Sequence, residues 1–137
     1  MSLKELLAMK TIAIGSIFVL FAIVAGIATY APTAFADHAT ASVSVPSGTS
    51  VPGCEETNEC FIPAKVSVNV GDTVTWSNDD AAAHTVTSGN PTDGPDGTFD
   101  SSLFMAGTTF EYTFDEAGQF DYFCMVHPWM VGTVQVN

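Results

Sequence analysis

The sequence predicts an all-β domain, a sandwich or a barrel, preceded by an N-terminal hydrophobic segment. Three observations lead there. No stretch after residue 36 carries a 3.6-residue apolar period. Short runs alternate apolar and polar residues instead. Turn signals rich in Gly, Pro, Asn and Asp divide these runs at spacings of about ten residues, the rhythm of a sandwich or barrel.

The leading segment comes first. Lys4 and Lys10 precede residues 11–31, an almost wholly apolar run without a charge. Ala34, Phe35 and Ala36 then form a small-x-small cleavage pattern. Residues 1–36 therefore read as an export signal peptide cut before Asp37. At about twenty residues the apolar run is also long enough to span a bilayer as an uncleaved anchor, a membrane tether through residues 11–31. On either reading the domain is expected outside the cytoplasmic membrane, periplasmic or at the cell surface.

Residues 37–52 are Ala, Ser, Thr, Val, Pro and Gly with little else, and read as a flexible linker in which "ASVSV" forms an edge strand. The main domain is placed at 53–137. "KVSVNV" sets Val66, Val68 and Val70 on one face. Gly71 and Asp72 punctuate, and "TVTW" follows with Val74 and Trp76 in phase, Trp76 as core. "HTVTS" is a further short strand. "SGNPTDGPDGTFD" is dense in Gly, Pro and Asp and reads as a loop. "TFEYTF" puts Phe110, Tyr112 and Phe114 on one side. Ala117 and Gly118 turn the chain into "QFDYFC", with Phe120 and Tyr122 in phase, and "GTVQV" closes the domain.

Charge narrows the partners. Setting aside Lys4, Lys10 and Glu5 leaves Lys65 against fourteen carboxylates, a net of −13. Nucleic acid and anionic lipid are poor partners for such a surface. A protein partner with a basic surface would be drawn to it, with a salt-dependent on-rate; the same charge would also keep an exported protein soluble.

There are three cysteines, an odd number for an exported chain. Cys54 and Cys60, in "CEETNEC", lie close enough to close a small disulfide loop. Cys124 is left over, and its neighbours give it a role. In "CMVHPWM", Cys124, His127 and Met130 stand three apart. A third strong donor must come from elsewhere. Of the two remaining histidines, His38 lies in the N-terminal segment and His84 opens a strand, which makes His84 the better ligand. Two imidazoles, one thiolate and a weak thioether suit copper in a trigonal site with a long axial methionine. Zinc prefers four strong tetrahedral ligands. Met105 and Met125 read as apolar packing or surface residues.

These residues carry a resemblance. "CMVHPWM" resembles the short ligand loop of the amicyanin type. "VTWSNDDAAAHTV" is similar to the stretch that bears the first histidine ligand, and "FDEAGQFDYFC" to the strand that leads into the cysteine. The chain thus resembles a cupredoxin, a small blue copper protein of the plastocyanin and amicyanin kind, from about residue 61 to 137. The resemblance implies a Greek-key β-sandwich with one type 1 copper at one end. It implies His84, Cys124 and His127 as equatorial ligands and Met130 as the axial ligand. The family often has Asn after its first histidine, tethering the ligand loop; here Thr85 stands there, with a backbone N–H that could still reach the Cys124 sulfur and a side chain expected to replace the tether only in part.

The function expected is extracytoplasmic electron transfer, the copper cycling between Cu(II) and Cu(I), with no catalytic turnover. Val126, Pro128 and Trp129 around His127 form an apolar patch where the electron would leave. Two alternatives are an open-site copper enzyme acting on small nitrogen oxides, which needs a vacant axial position, and a copper carrier. Clustered His-x-His motifs and a second loop cysteine are both missing, which excludes a multicopper oxidase and disfavours a binuclear copper site.

Overall fold

A computed structural model describes residues 37–137. The expected signal or anchor at 1–36 lies outside the described residues. Eight strands follow one another: β1 Thr40–Val45, β2 Lys65–Val68, β3 Thr73–Asn78, β4 Thr87–Asn90, β5 Gly94–Asp100, β6 Thr109–Thr113, β7 Gly118–Phe123 and β8 Val131–Val136. One short 3₁₀ turn, Cys54–Glu56, interrupts them.

The strands form two sheets. The smaller has the order β1-β3-β6, the larger β2-β8-β7-β4-β5. Of the two architectures left open by the spacing, the domain is thus a sandwich. β1 runs parallel to β3, and β2 parallel to β8; the other pairs are antiparallel.

Alternation builds the core. Val43 and Val45 of β1, and Val74 and Trp76 of β3, are fully buried. Val43 lies in register with Trp76, and Trp76 with Phe110 on β6. From the facing sheet come Val66, Val68, Val134 and Val136, buried on every second residue because side chains alternate across a pleat. Trp76 sits at the centre, its ring 5.4 Å from Tyr122, 5.7 Å from Phe110 and 6.0 Å from Phe99. Tyr122 reaches this position across Gly132, its register partner on β8, where any Cβ would collide with the phenol ring.

Three expectations need correction. Residues 88–100 are not a loop: they contribute most of the β4–β5 hairpin. Gly89, at φ +120°, lets the Gly94 carbonyl pass where a side chain would stand, and Phe99 and Ser88 are buried. The "HTVTS" strand starts later, at Thr87, and His84 makes only an isolated bridge with Phe104. Val70 falls beyond the end of β2 and is exposed, so it does not share the face of Val66 and Val68.

Residues 46–53 run as turns after β1, and Thr49 among them is buried. The disulfide between Cys54 and Cys60 is formed. Just beyond it, Ser44 and Ile62 exchange both backbone hydrogen bonds, at 2.8 and 2.9 Å.

Candidate metal centre

Past β3 the chain must turn within the sandwich without leaving polar groups unpaired. Asn78 manages this: its Nδ2 donates to the carbonyls of Ala82 (2.8 Å) and Phe104 (3.1 Å), and its Oδ1 accepts the Asp80 N–H. The turn delivers His84 into the interior. Its backbone N–H donates to the Phe104 carbonyl, and its own carbonyl accepts the Phe104 N–H. The ring is wholly buried, with Nε2 2.8 Å from Asp80 Oδ2. A carboxylate only accepts, so Nε2 carries the hydrogen and Nδ1 keeps a free lone pair.

Cys124 directly follows β7, and β8 begins at Val131. The connection is pinned at its base. The Cys124 N–H donates to the Met130 carbonyl at 3.1 Å, and the Met130 N–H to the His127 carbonyl at 2.9 Å. Cys124 and Met130 are fully buried, whereas His127 reaches the surface.

Thr85 ties the two halves together. Its backbone N–H points at the Cys124 sulfur (3.3 Å), and its Oγ1 accepts the Met125 N–H (2.8 Å). Behind it stand the Thr87 hydroxyl at 3.0 Å and, beyond that, the Asp100 carboxylate. The threonine therefore tethers the ligand loop with its side chain.

The result is a compact triangle. His84 Nδ1 and His127 Nδ1 are 3.1 Å apart, and Cys124 Sγ lies 3.8 Å from the first and 3.6 Å from the second. A point about 2 Å from all three corners exists inside it, the separation that imidazole and thiolate ligands keep from a small transition metal. These three donors could hold such a metal. His38 is not among them; it lies before β1, against Gly71. Two surface clefts of about 320 and 400 Å³ are lined by none of these residues.

Proton affinities suit the same reading. Burial pushes the Cys124 thiol up, but hydrogen bonds with His84 and with the N–H groups of Thr85, Val126 and His127 bring it below its ordinary value. Burial disfavours charge on His84, yet Cys124 and Asp80 raise its pKa. Burial and the neighbouring His84 lower that of His127, against a smaller pull from Asp80. For Asp80 burial works upward, while the Gly48 N–H, His84 and the Ala81 N–H bring it down to about 2. The Cys124 thiol thus gives up its proton more readily than an ordinary cysteine, and the thiolate is the form that binds metal.

Asp80 escaped the sequence reading. Its signal is there in "DAAAH", a carboxylate four residues before a histidine, but that spacing means little outside a helix.

A family model described as copper binding proteins, plastocyanin/azurin family, matches residues 48–137. Amicyanin of Paracoccus versutus is 33% identical over 105 residues, 77% of this chain and 77% of its own. Among solved structures, a purple cupredoxin from Nitrosopumilus maritimus is similar at TM-score 0.64 and 33% identity, covering 71% of this chain and 99% of that one. A copper-containing nitrite reductase from Thermus scotoductus SA-01 shares the fold alone, at TM-score 0.53 and 22% identity over 72% of this chain and 22% of its own.

Proposed function

The chain belongs to the plastocyanin/azurin family of copper-binding proteins, and from that premise we propose that it carries single electrons outside the cytoplasmic membrane on one type 1 copper. His84, Cys124 and His127 are the equatorial ligands and Met130 the axial one. The observation that carries this is the triangle of two Nδ1 atoms and one Sγ, with edges of 3.1 to 3.8 Å, of which His127 alone reaches solvent.

Copper in such a set supplies a one-electron couple between Cu(II) and Cu(I). The residues of the chain do the rest. Asp80 keeps Nδ1 of His84 free, and the Thr85 N–H shares the negative charge of the Cys124 sulfur. Each donor is held by the scaffold, so little has to move as charge changes. Burial of His84, Cys124 and Met130 keeps water from three sides. Exposed Met125 and Val126 surround the edge of His127 with apolar surface, which lets a partner approach without stripping charged groups of water. The net charge of −13 on residues 37–137 favours a redox partner with a basic docking surface. Export, by signal peptide or by a tether through residues 11–31, places the carrier in the periplasm or at the cell surface.

The buried donors favour this reading over an enzyme of small nitrogen oxides. Voltammetry of the copper-loaded domain tests it: one reversible one-electron wave is expected, unchanged by nitrite. Catalytic current with nitrite would instead establish an open-site enzyme. Met130→Leu, close in volume, should leave the copper-free fold within about 1.5 kcal/mol and raise the potential; an unchanged potential would remove Met130 from the ligand set.

A further inference from the structure

Residues 46–53 approach the site from outside, and three consecutive ones touch both histidine arms. The Gly48 N–H donates to Asp80 Oδ1 at 2.9 Å, and the Ser50 N–H to Asp80 Oδ2 at 3.2 Å. Asp80 in turn holds Nε2 of His84. Between those two donors, the Thr49 carbonyl accepts the Trp129 Nε1–H at 3.0 Å. Trp129 lies two positions after His127, and its ring packs on that imidazole, centroids 5.3 Å apart. The segment is itself fixed. Thr49 Oγ1 closes its turn on the Pro46 carbonyl, and the Cys54–Cys60 disulfide and the Ser44–Ile62 pair secure the loop that carries it.

We propose that residues 46–53 form a strap that positions both histidine ligands at once, His84 through Asp80 and His127 through Trp129. Asp80 and Trp129 are positioning residues: neither belongs to the donor triangle. The inference rests on the copper reading above, because it concerns ligands to that metal.

The chemistry of Asp80 makes the idea specific. Its two oxygens accept from Gly48, Ala81, Ser50 and His84, which is the full work of an acceptor-only group. An asparagine has one acceptor and one donor end. With its oxygen toward Gly48 and Ala81, its amide hydrogens face the Ser50 N–H and His84 Nε2. The first contact repels. The second turns Nε2 into an acceptor and moves the ring hydrogen to Nδ1, the atom that should bind metal. Phenylalanine at 129 keeps the aromatic body against His127 and deletes only the N–H.

The experiment is a double-mutant cycle on Cu(I) affinity, measured by chelator competition, with Asp80→Asn, Trp129→Phe and the pair. The Tm of each copper-free protein and the visible spectrum of each Cu(II) form are read alongside. Loss of such an outer partner of a metal ligand weakens binding by about 10–100-fold. The strap predicts a loss in that range for Asp80→Asn, with a shifted charge-transfer band. It predicts a smaller loss for Trp129→Phe and a double variant less impaired than the product of the two, since both cut the same connection. Independent, multiplicative losses overturn the strap. So does a fall in Tm with affinity and spectrum unchanged, which marks the contacts as structural only. A wild-type protein that binds no copper defeats the copper reading itself and is told apart by that control.

Discussion

The two histidines of the centre live in opposite surroundings. His84 is sealed inside the sandwich: its Nε2–H donates to Asp80, its backbone pairs with Phe104, and its Nδ1 faces the sulfur of Cys124 and Nδ1 of His127. His127 sits on a short loop after exposed Met125 and Val126 and is itself partly exposed. The difference separates two tasks. A donor held by buried polar contacts fixes geometry, because each contact left unmade in a dry interior is expensive. A donor framed by exposed apolar groups offers a way in and out, because that surface is easily dehydrated.

Truncating each histidine to glycine should break the symmetry of the pair most sharply. His127→Gly opens a gap to solvent, and added imidazole should restore a coloured Cu(II) site. His84→Gly leaves a closed gap beside the Asp80 carboxylate; imidazole should fail there, and the copper-free protein should lose about 3 kcal/mol in denaturant unfolding. Equal rescue at both positions would erase the distinction between them.

Thr85→Val sharpens the comparison at the joint between the halves. The swap keeps shape but removes the acceptor of the Met125 N–H. A stability loss of about 1–3 kcal/mol is expected by urea titration of the copper-free domain, with faster amide exchange at Met125. A loss of a few tenths with unaltered exchange would mean that the loop holds itself.

Acid should loosen the buried half first. The pKa of Asp80 stands at about 2 in the fold, below the ordinary carboxylate value. A group whose pKa folding lowers stabilises the native state above its unfolded pKa. That contribution is complete above about pH 4 and fades as pH falls through about 2. Copper-free Asp80→Asn should therefore show a flatter decline over this window than wild type; parallel curves would deny Asp80 this part in acid stability.

The mildest effect belongs to the exposed half. Val126→Ser should change stability by less than about 0.5 kcal/mol and leave the potential alone, while slowing electron self-exchange measured by NMR line broadening. An unchanged rate would shift the exit elsewhere.

The same contrast explains what could be read in advance. Cys124, His127 and Met130 are written three apart in one loop, and contiguous spacing survives folding. Val43, Val66, Val68, Val74, Trp76, Val134 and Val136 announce their faces by alternation, and those faces form the core. The hairpin at 87–100 was hidden because Gly89, Gly94 and Pro95 carry turn chemistry, while the pairing is set by tertiary contacts of Ser88 and Phe99. Val70 continues an alternating pattern past the point where β2 stops pairing with β8. Residues 48–50 meet Asp80 and Trp129 across some thirty to eighty positions of chain through isolated hydrogen bonds, with no local period to betray them.

The central claim is that the donor triangle holds a redox copper. The visible absorption spectrum of the purified domain after adding Cu(II) tests it most directly, with Cys124→Ala alongside. The account predicts an intense thiolate-to-copper charge-transfer band that ascorbate bleaches, reoxidation restores and Cys124→Ala abolishes. A wild-type protein that stays colourless with Cu(II), or a band that persists in Cys124→Ala, would contradict it.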